Sequence, residues 1–374
     1  MSRFTSGTAF AHAPKGEEES LSSNATDVEI IDVRPHHRID DGALAAYMAE
    51  NVDGFRGPLT VRQFQGGMSN PTYILETPAK RYVMRKKPPG ELLKSAHQVD
   101  REYNVMKALK GTDVPVPEVH CLCMDDAVIG QAFYIMEHVE GRVLIDPAVP
   151  SFSKDERAAL YDDWLRVLAA LHMVDHEAVG LADFGRPGNY YSRQISRWSK
   201  QYVASVTEEI PEMDALMEWL PANTPEAEEV SIVHGDYRIG NCVLHPTEPK
   251  VVAVLDWELS TLGHPLADLA YCCQEYYGHA ADGGFAHLDD PREIGIPTED
   301  EFVARYSKLT GQGEITNWPF YIAYTLFRSA AIVQGVYKRG LDGNASSDSA
   351  KKFAGYAEQR AKWAWDVVKK AGLA

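Results

Sequence analysis

The sequence predicts an α+β protein of two lobes, a small antiparallel sheet followed by a larger, mainly helical part. Three observations predict it. Short strand-like runs dominate as far as residue 138, and from residue 139 the apolar spacing turns helical. A single segment between His234 and Asp256 interrupts the helices with a loop and a hairpin that concentrate Asp and Asn. At 374 residues the chain is long enough for two lobes sharing a substantial core. The expected division is a mobile tail at 1–38, a sheet lobe at 39–138 and a helical lobe at 139–374.

Each element has its own signal. Residues 1 to about 35 are polar and aperiodic, with Glu17-Glu18-Glu19 and a Ser20-to-Asn24 run, the composition of a tail. A helix is expected at 40–51, with Leu44, Tyr47 and Met48 on one face. Strands follow at 59–64, 72–76 and 81–85, then a helix at 96–109 presenting Val99, Tyr103, Met106 and Leu109, then a strand at 133–138. Ser153 and Glu156 form a Ser-x-x-Glu capping pattern, opening a helix that presents Leu160, Trp164, Leu168 and Leu171 and ends near His172. Further helices are expected at 213–219, 318–337 and 351–370, and no internal repeat is visible.

Composition narrows the partners. Hydrophobic residues make up 45% of the chain and aromatics 10%, ordinary values for a globular protein. No apolar run approaches the roughly 18 residues of a membrane span. Met1-Ser2-Arg3-Phe4 starts no apolar signal segment, and five cysteines without a CxxC pair fit reduced thiols, so a cytoplasmic protein is expected. The net charge of −17 argues against nucleic acid as a partner and speaks first to solubility.

The chemistry lies in His234-Gly235-Asp236-Tyr237-Arg238-Ile239-Gly240-Asn241 and in Val251-Val252-Ala253-Val254-Leu255-Asp256. Residues 242–245 and 251–255 read as two strands joined by the turn Pro246-Thr247-Glu248-Pro249. The protein-kinase catalytic loop places an Asn five positions after an Asp, with a metal-binding Asp one hairpin later. A phosphoryl group leaving ATP needs an acceptor oxygen held in line and its charge neutralised by metal. Asp236 suits the acceptor hydroxyl and its proton; Asn241 and Asp256 offer hard oxygens for Mg²⁺.

Phosphate-handling parts belong upstream. Gln65-Gly66-Gly67-Met68-Ser69-Asn70 sits between two strands, where Gly66 and Gly67 let backbone N–H groups approach phosphates and Ser69 and Asn70 add polar contacts; a Gly-Gly hairpin turn has the same sequence. Arg85 ends Tyr82-Val83-Met84-Arg85, the slot of a strand-borne phosphate lysine, and Glu102 follows on the next helix as its partner. Arg is planar, bidentate and always charged, so it serves phosphate in a different geometry; a shifted strand gives the role to Lys86 or Lys87. The carbonyl of Glu137 and the amide of Val139 are placed to read an adenine edge. Asp268, twelve positions after Asp256, suits capping a helix or bracing the catalytic loop, and Glu258 is expected to face solvent.

His-Gly-Asp with its Asn, Asp256-Trp257-Glu258 and Gly263-His264-Pro265-Leu266-Ala267-Asp268-Leu269-Ala270 resemble the aminoglycoside phosphotransferase and choline kinase superfamily, over about 41–340. That resemblance implies a protein-kinase-like fold acting on small molecules. Gln65 to Tyr73, Arg85-Lys86-Lys87-Pro88-Pro89-Gly90 and Asp100-Arg101-Glu102-Tyr103 look like the kinase-like domains that accompany acyl-CoA dehydrogenases. What this implies is a hydroxyacyl-CoA acceptor, Asp236 as catalytic base, Asn241 and Asp256 on Mg²⁺, and Arg85 with Glu102 on ATP. It further implies partnership with a separate dehydrogenase, since a short helix-like tail follows residue 340. Gly235 stands where many protein kinases carry an Arg that pairs with a phosphorylated loop. The short Asp256–Asp268 segment leaves no room for an activation loop, which argues against a protein substrate.

On the acceptor side, residues 185–198 are rich in aromatics and Arg, so Arg193 and Arg197 suit an anion such as a CoA phosphate; a surface loop leading into a helix is the plainer reading. Arg328 stands among Phe320, Tyr324 and Phe327, either in a buried ion pair or as a substrate anchor, and His172 reads as a core histidine. Two other readings stand beside the hydroxyacyl-CoA kinase. One is an aminoglycoside or amino-alcohol kinase, which the acidic balance suits. The other is a nucleotide-binding scaffold without turnover, against which the presence of Asp236, Asn241 and Asp256 weighs.

Overall fold

A computed structural model of the chain describes residues 29–65, 70–88, 98–226, 229–278, 284–343 and 352–374. Gly66, Gly67 and Ser69 lie outside the described residues, as does the start of the helix expected from residue 96.

The first lobe is built from β1 (Ile30–Ile31), α1 (Asp41–Asn51), β2 (Thr60–Phe64), β3 (Thr72–Glu76), β4 (Arg81–Lys86), α2 (Val99–Leu109), β5 (Val119–Cys123), the single turn α3 (Asp126–Ile129) and β6 (Phe133–Glu137). The strands form one six-stranded antiparallel sheet in the order β1-β2-β3-β4-β6-β5. Asp40, just outside α1, caps it by accepting from Ala43 N–H at 2.9 Å. Within the expected tail, Ile30–Ile31 instead join the sheet, and the residues after them pack against it. Here β1 pairs with β2, and His37 takes bonds from the Tyr73 hydroxyl and the Gln63 amide, each 2.8 Å.

Strand alternation decides what each side of the sheet does. Tyr82 and Met84 of β4, with Phe133 and Ile135 of β6, pack on Leu44 and Met48 of α1. Val83, Tyr134 and Met136 face the other way, onto Val99, Val105 and Met106 of α2. Arg85 therefore shares the α2 face. Lys86 turns to the opposite face, where Asp126 and His37 feel its charge.

The second lobe follows with α4 (Lys154–His172), α5 (Tyr190–Ser205), α6 (Pro211–Ala222), β7 (Ser231–Val233), β8 (Cys242–Leu244), β9 (Val251–Val254), β10 (Thr261–Gly263), α7 (Leu266–Cys273), α8 (Glu299–Thr310), α9 (Trp318–Leu341) and α10 (Tyr356–Lys370). Ser153 and Glu156 make the full reciprocal capping box at the start of α4. The expected hairpin is β8 against β9, and β10 returns to pair with β7. Helix α9 is apolar on all sides, with Phe320 to Phe327 buried throughout, so it forms the axis on which α5, α7 and α10 pack. Among the described residues no helix is long and apolar enough to cross a membrane.

The lobes are joined beside the hairpin. Arg101 of α2 donates to Phe184 O at 2.6 Å and Ser260 O at 3.2 Å, with its guanidinium over the Phe184 ring. This holds α2, and the face it shares with Arg85, over the turn that carries Asp256.

Candidate active site

The loop after β7 is shaped by its backbone. Gly235 has φ +82°, and a Cβ there would lie 2.8 Å from Leu259 O, so the turn needs glycine. Next to it His234 Nε2 meets Leu255 O at 2.9 Å, and Leu255 N–H donates to Asn241 O at 2.8 Å. Tyr237 anchors the loop in the core, stacked on Trp164 with its hydroxyl on Trp164 O at 2.8 Å. The catalytic loop and the segment leading to Asp256 thus form one hydrogen-bonded unit.

Both carboxylate oxygens of Asp236 are engaged. Asn241 Nδ2 donates to Oδ2 at 2.8 Å and to the Asp236 carbonyl at 2.9 Å. Oδ1 accepts from the Tyr271 hydroxyl, and Arg238 Nε lies 3.5 Å from Oδ2. Committing its amide nitrogen to Asp236 leaves Asn241 its amide oxygen as a hard donor. Tyr271 was not singled out from the sequence. Its signal was position: it lies one helical turn after Asp268, on the same face of α7.

Asp268 braces the loop. The side chain is buried and accepts from His234 N–H at 2.6 Å and Gly235 N–H at 2.9 Å. His172, a core histidine as expected, lies between Asp268 and the Tyr306 hydroxyl, at 3.4 and 2.7 Å. Burial pushes the Asp268 carboxyl up, but His172, His234 and the Gly235 N–H outweigh it and hold the group below its usual range. A depressed carboxylate stabilises the fold above its unfolded value near pH 4 and loses that contribution as pH falls through the folded value. Asp268→Asn is expected to cost about 3 kcal/mol at neutral pH. Urea midpoints across pH should show the wild type approaching the variant in acid.

On the sheet side, Arg85 Nη1 bridges Glu102 Oε2 at 2.7 Å and Asp256 Oδ1 at 2.9 Å. Register places Tyr134 opposite Arg85, and its hydroxyl donates to Glu102 Oε2 at 2.9 Å. Asn70 is a correction: it is fully buried and donates to Glu102 Oε1 at 2.8 Å, bracing the carboxylate rather than lining a phosphate path. Glu258 is another, since its side chain is 25% exposed and points at Arg85, 3.9 Å from Nη2. Burial pushes the Glu102 carboxyl up to about 7, against the pull of Arg85. Burial disfavours the Arg85 charge, but Glu102, Tyr134 and Asp256 more than restore it. Arg85 Nε is buried and has no partner among the described residues, a donor left for an incoming oxygen.

Glu137 closes β6 with its N–H on Glu118 O at 2.8 Å, and Val139 follows, half-buried, at the crossing between lobes. Arg193 does not reach the site: it turns back onto the carbonyls of Gly188 and Arg186. Arg197 lies over the Trp198 ring of its own helix. Arg328 does reach the site, donating to Gly235 O at 2.7 Å.

Residues 60–295 match the family model described as the phosphotransferase enzyme family. The chain belongs to that family. Phosphotransferase relatives with solved structures share its architecture. One from Ralstonia eutropha JMP134, provisionally described as an aminoglycoside phosphotransferase, is 50% identical, with a TM-score of 0.82 over 89% of this chain and 99% of that one. A thermostable mutant of the aminoglycoside phosphotransferase APH(4)-Ia, solved with ADP and hygromycin B, is 14% identical with a TM-score of 0.56 over 87% and 98% of the two chains, and shows the shared fold. Among curated proteins, acyl-CoA dehydrogenase family member 10 of Mus musculus is 45% identical over 85% of this chain and 30% of its own length. The chain spans less than half the length of the curated relatives it matches. Membership in the family, with these neighbours, makes the chain a small-molecule kinase with a two-lobed kinase-like fold.

Proposed function

We propose that the protein transfers the γ-phosphoryl group of ATP, with Mg²⁺, to the hydroxyl of a small acceptor, and that the acceptor is a hydroxyacyl-CoA. The observation that carries the reading is the joint placement of Asp236, Asn241 and Asp256 on one bonded unit, with Arg85 reaching it from the sheet. The donor set suits the cofactors: an amide oxygen, a carboxylate 34% exposed and a buried unpartnered guanidinium N–H. When bound, magnesium and ATP supply charge neutralisation and the transferable group.

Within the chain, Asp236 orients the acceptor hydroxyl and takes its proton. Asn241 holds Oδ2 and the Tyr271 hydroxyl meets Oδ1, whose second lone pair takes the acceptor hydroxyl. Arg85, oriented by Glu102, holds phosphate oxygens, and Asn241 and Asp256 hold the metal. Glu137 and Val139 read the adenine edge, and Gly66, Gly67 and Ser69 cover the phosphates. The hydroxyacyl-CoA acceptor, and a working partnership with an acyl-CoA dehydrogenase, draw support from curated relatives named for that dehydrogenase.

A mass-spectrometric screen tests the reading. Wild type and Asp236→Ala are incubated with ATP, Mg²⁺ and hydroxyacyl-CoAs, aminoglycosides or amino alcohols, with EDTA as a control. A phosphoryl mass on a hydroxyacyl-CoA with wild type and Mg²⁺ only is the expected result; transfer confined to aminoglycosides would replace that acceptor. Tyr271→Phe removes one hydrogen bond from the base while keeping the ring, and is expected to lower kcat about tenfold with KM unchanged. A rise in KM alone would instead place Tyr271 in acceptor binding.

A further inference from the structure

Arg328 carries chemistry that phosphoryl transfer alone leaves unused. It projects from α9 and is half-buried. One Nη2–H is spent on the carbonyl of Gly235, the residue before Asp236. The guanidinium lies over the rings of Tyr271 and Trp198, 5.4 and 5.7 Å from their centres. Among the described residues no Asp or Glu comes within ion-pair distance of it, whereas the guanidinium on the sheet side, Arg85, is paired with Glu102 and Asp256. The groups that bear on its charge are the hydroxyls of Tyr324, Tyr190 and Tyr271, and Asp236, whose oxygens are already taken by Tyr271 and Asn241.

A guanidinium drawn out of water without a carboxylate partner is costly, and its planar fork of donors matches a carboxyl or carbonyl group. The charges around it are of both signs, with Asp236 bearing on Arg328 and Asp268 on Tyr190. Arg193 and Arg197 of α5 act on Tyr190 together with Arg328, in a chain whose net charge is −17.

Resting on the phosphotransferase reading, we propose that Arg328 is the acceptor anchor. It binds a carboxylate or carbonyl oxygen that the acceptor carries within a few bonds of the hydroxyl presented to Asp236. The reach is set by the backbone: Arg328 bonds the residue adjacent to the base, so the anchored oxygen and the reacting hydroxyl must belong to one short segment of the ligand.

The test compares wild type, Arg328→Met and Arg328→Lys, with ATP and Mg²⁺. Acceptors are short-chain hydroxy acids, their hydroxyacyl-CoA thioesters, diols of matched length, and kanamycin; AMP-PNP affinity is measured by calorimetry. Wild type is expected to use the hydroxy acids or thioesters and not the diols or kanamycin. Arg328→Met should raise KM for those acceptors about 30-fold, leaving AMP-PNP affinity unchanged. Arg328→Lys should recover part of the loss, because it keeps the charge and not the fork. An unchanged KM in Arg328→Met overturns the proposal, as does an equal rise for diol and hydroxy acid. So does wild-type KM in Arg328→Lys when Arg328→Met melts and loses AMP-PNP, a structural role. Transfer confined to diols or kanamycin sinks the anchor and leaves the kinase standing. No transfer to any acceptor sinks the kinase reading and the anchor with it.

Discussion

Asp236→Asn is expected to lower phosphoryl transfer roughly 100- to 10,000-fold, the range for losing a positioned general base. The fold should not suffer. An asparagine at 236 keeps one oxygen to accept from Asn241, and its amide can donate to Tyr271, whose hydroxyl reverses to accept. Thermal midpoint and AMP-PNP affinity should therefore match wild type, while single-turnover transfer collapses. Turnover within severalfold of wild type would show that Asp236 is not the base, and would direct attention to water or to another group beside the loop.

Arg85→Met is the severest change on the sheet side. It leaves Glu102 fully buried with, among the described residues, Asn70 and Tyr134 as its donors. Breaking such a pair from one side costs about 3–5 kcal/mol. The sign of its pH dependence follows from Glu102, whose carboxyl is already pushed up to about 7 with Arg85 present. An acid whose folded value is raised loses stability as pH climbs from its unfolded value near 4 to that folded value, and no further above it. Without Arg85 that folded value rises further, so the variant goes on losing stability where wild type has levelled off, and the deficit should grow between about pH 6 and about pH 8. Urea midpoints at the two values check this, and adding Glu102→Gln should remove the growth. A deficit independent of pH would mean that Glu102 never carries charge in the fold. Nucleotide affinity should fall in Arg85→Met and not return with Glu102→Gln.

The geometry of the loop from His234 to Asn241 was legible because its residues lie close together in the chain. A backbone glycine, an acid, an amide and a second acid at fixed spacing leave few alternatives, and Gly235, Asp236 and Asn241 stand together as that spacing requires. Arg85 was legible from alternation once β4 was placed, and the same alternation sends Lys86 to the far face. Glu102 was legible as a carboxylate set in the buried stripe of α2. What escaped depends on long-range geometry. Asn70 sits beside a glycine pair and reads as part of that loop, yet its amide crosses to α2. Tyr134 and Tyr271 look like core aromatics until their hydroxyls are traced to Glu102 and Asp236. Glu258 follows a turn whose direction no periodicity encodes, because Asp256 takes a left-handed conformation at φ +65°. The start of α5 was legible as a helix following the 185–189 loop, whereas α8 escaped because it buries only Phe302 and Tyr306, so its apolar signal is thin.

Arg85 Nη1 also has a thermodynamic consequence. One nitrogen serves as counter-ion to Glu102 and Asp256 together. On the proposed reading, a divalent cation at Asp256 would share the carboxylate with that guanidinium and weaken its hold on Oδ1. The phosphates of a nucleotide would then offset the positive charge gathered there. Metal and nucleotide should on that reading bind cooperatively, each raising the affinity of the other by the same factor. Each alone should then bind more weakly than the two together, because either one by itself leaves a charge at Asp256 or Arg85 without its counterpart.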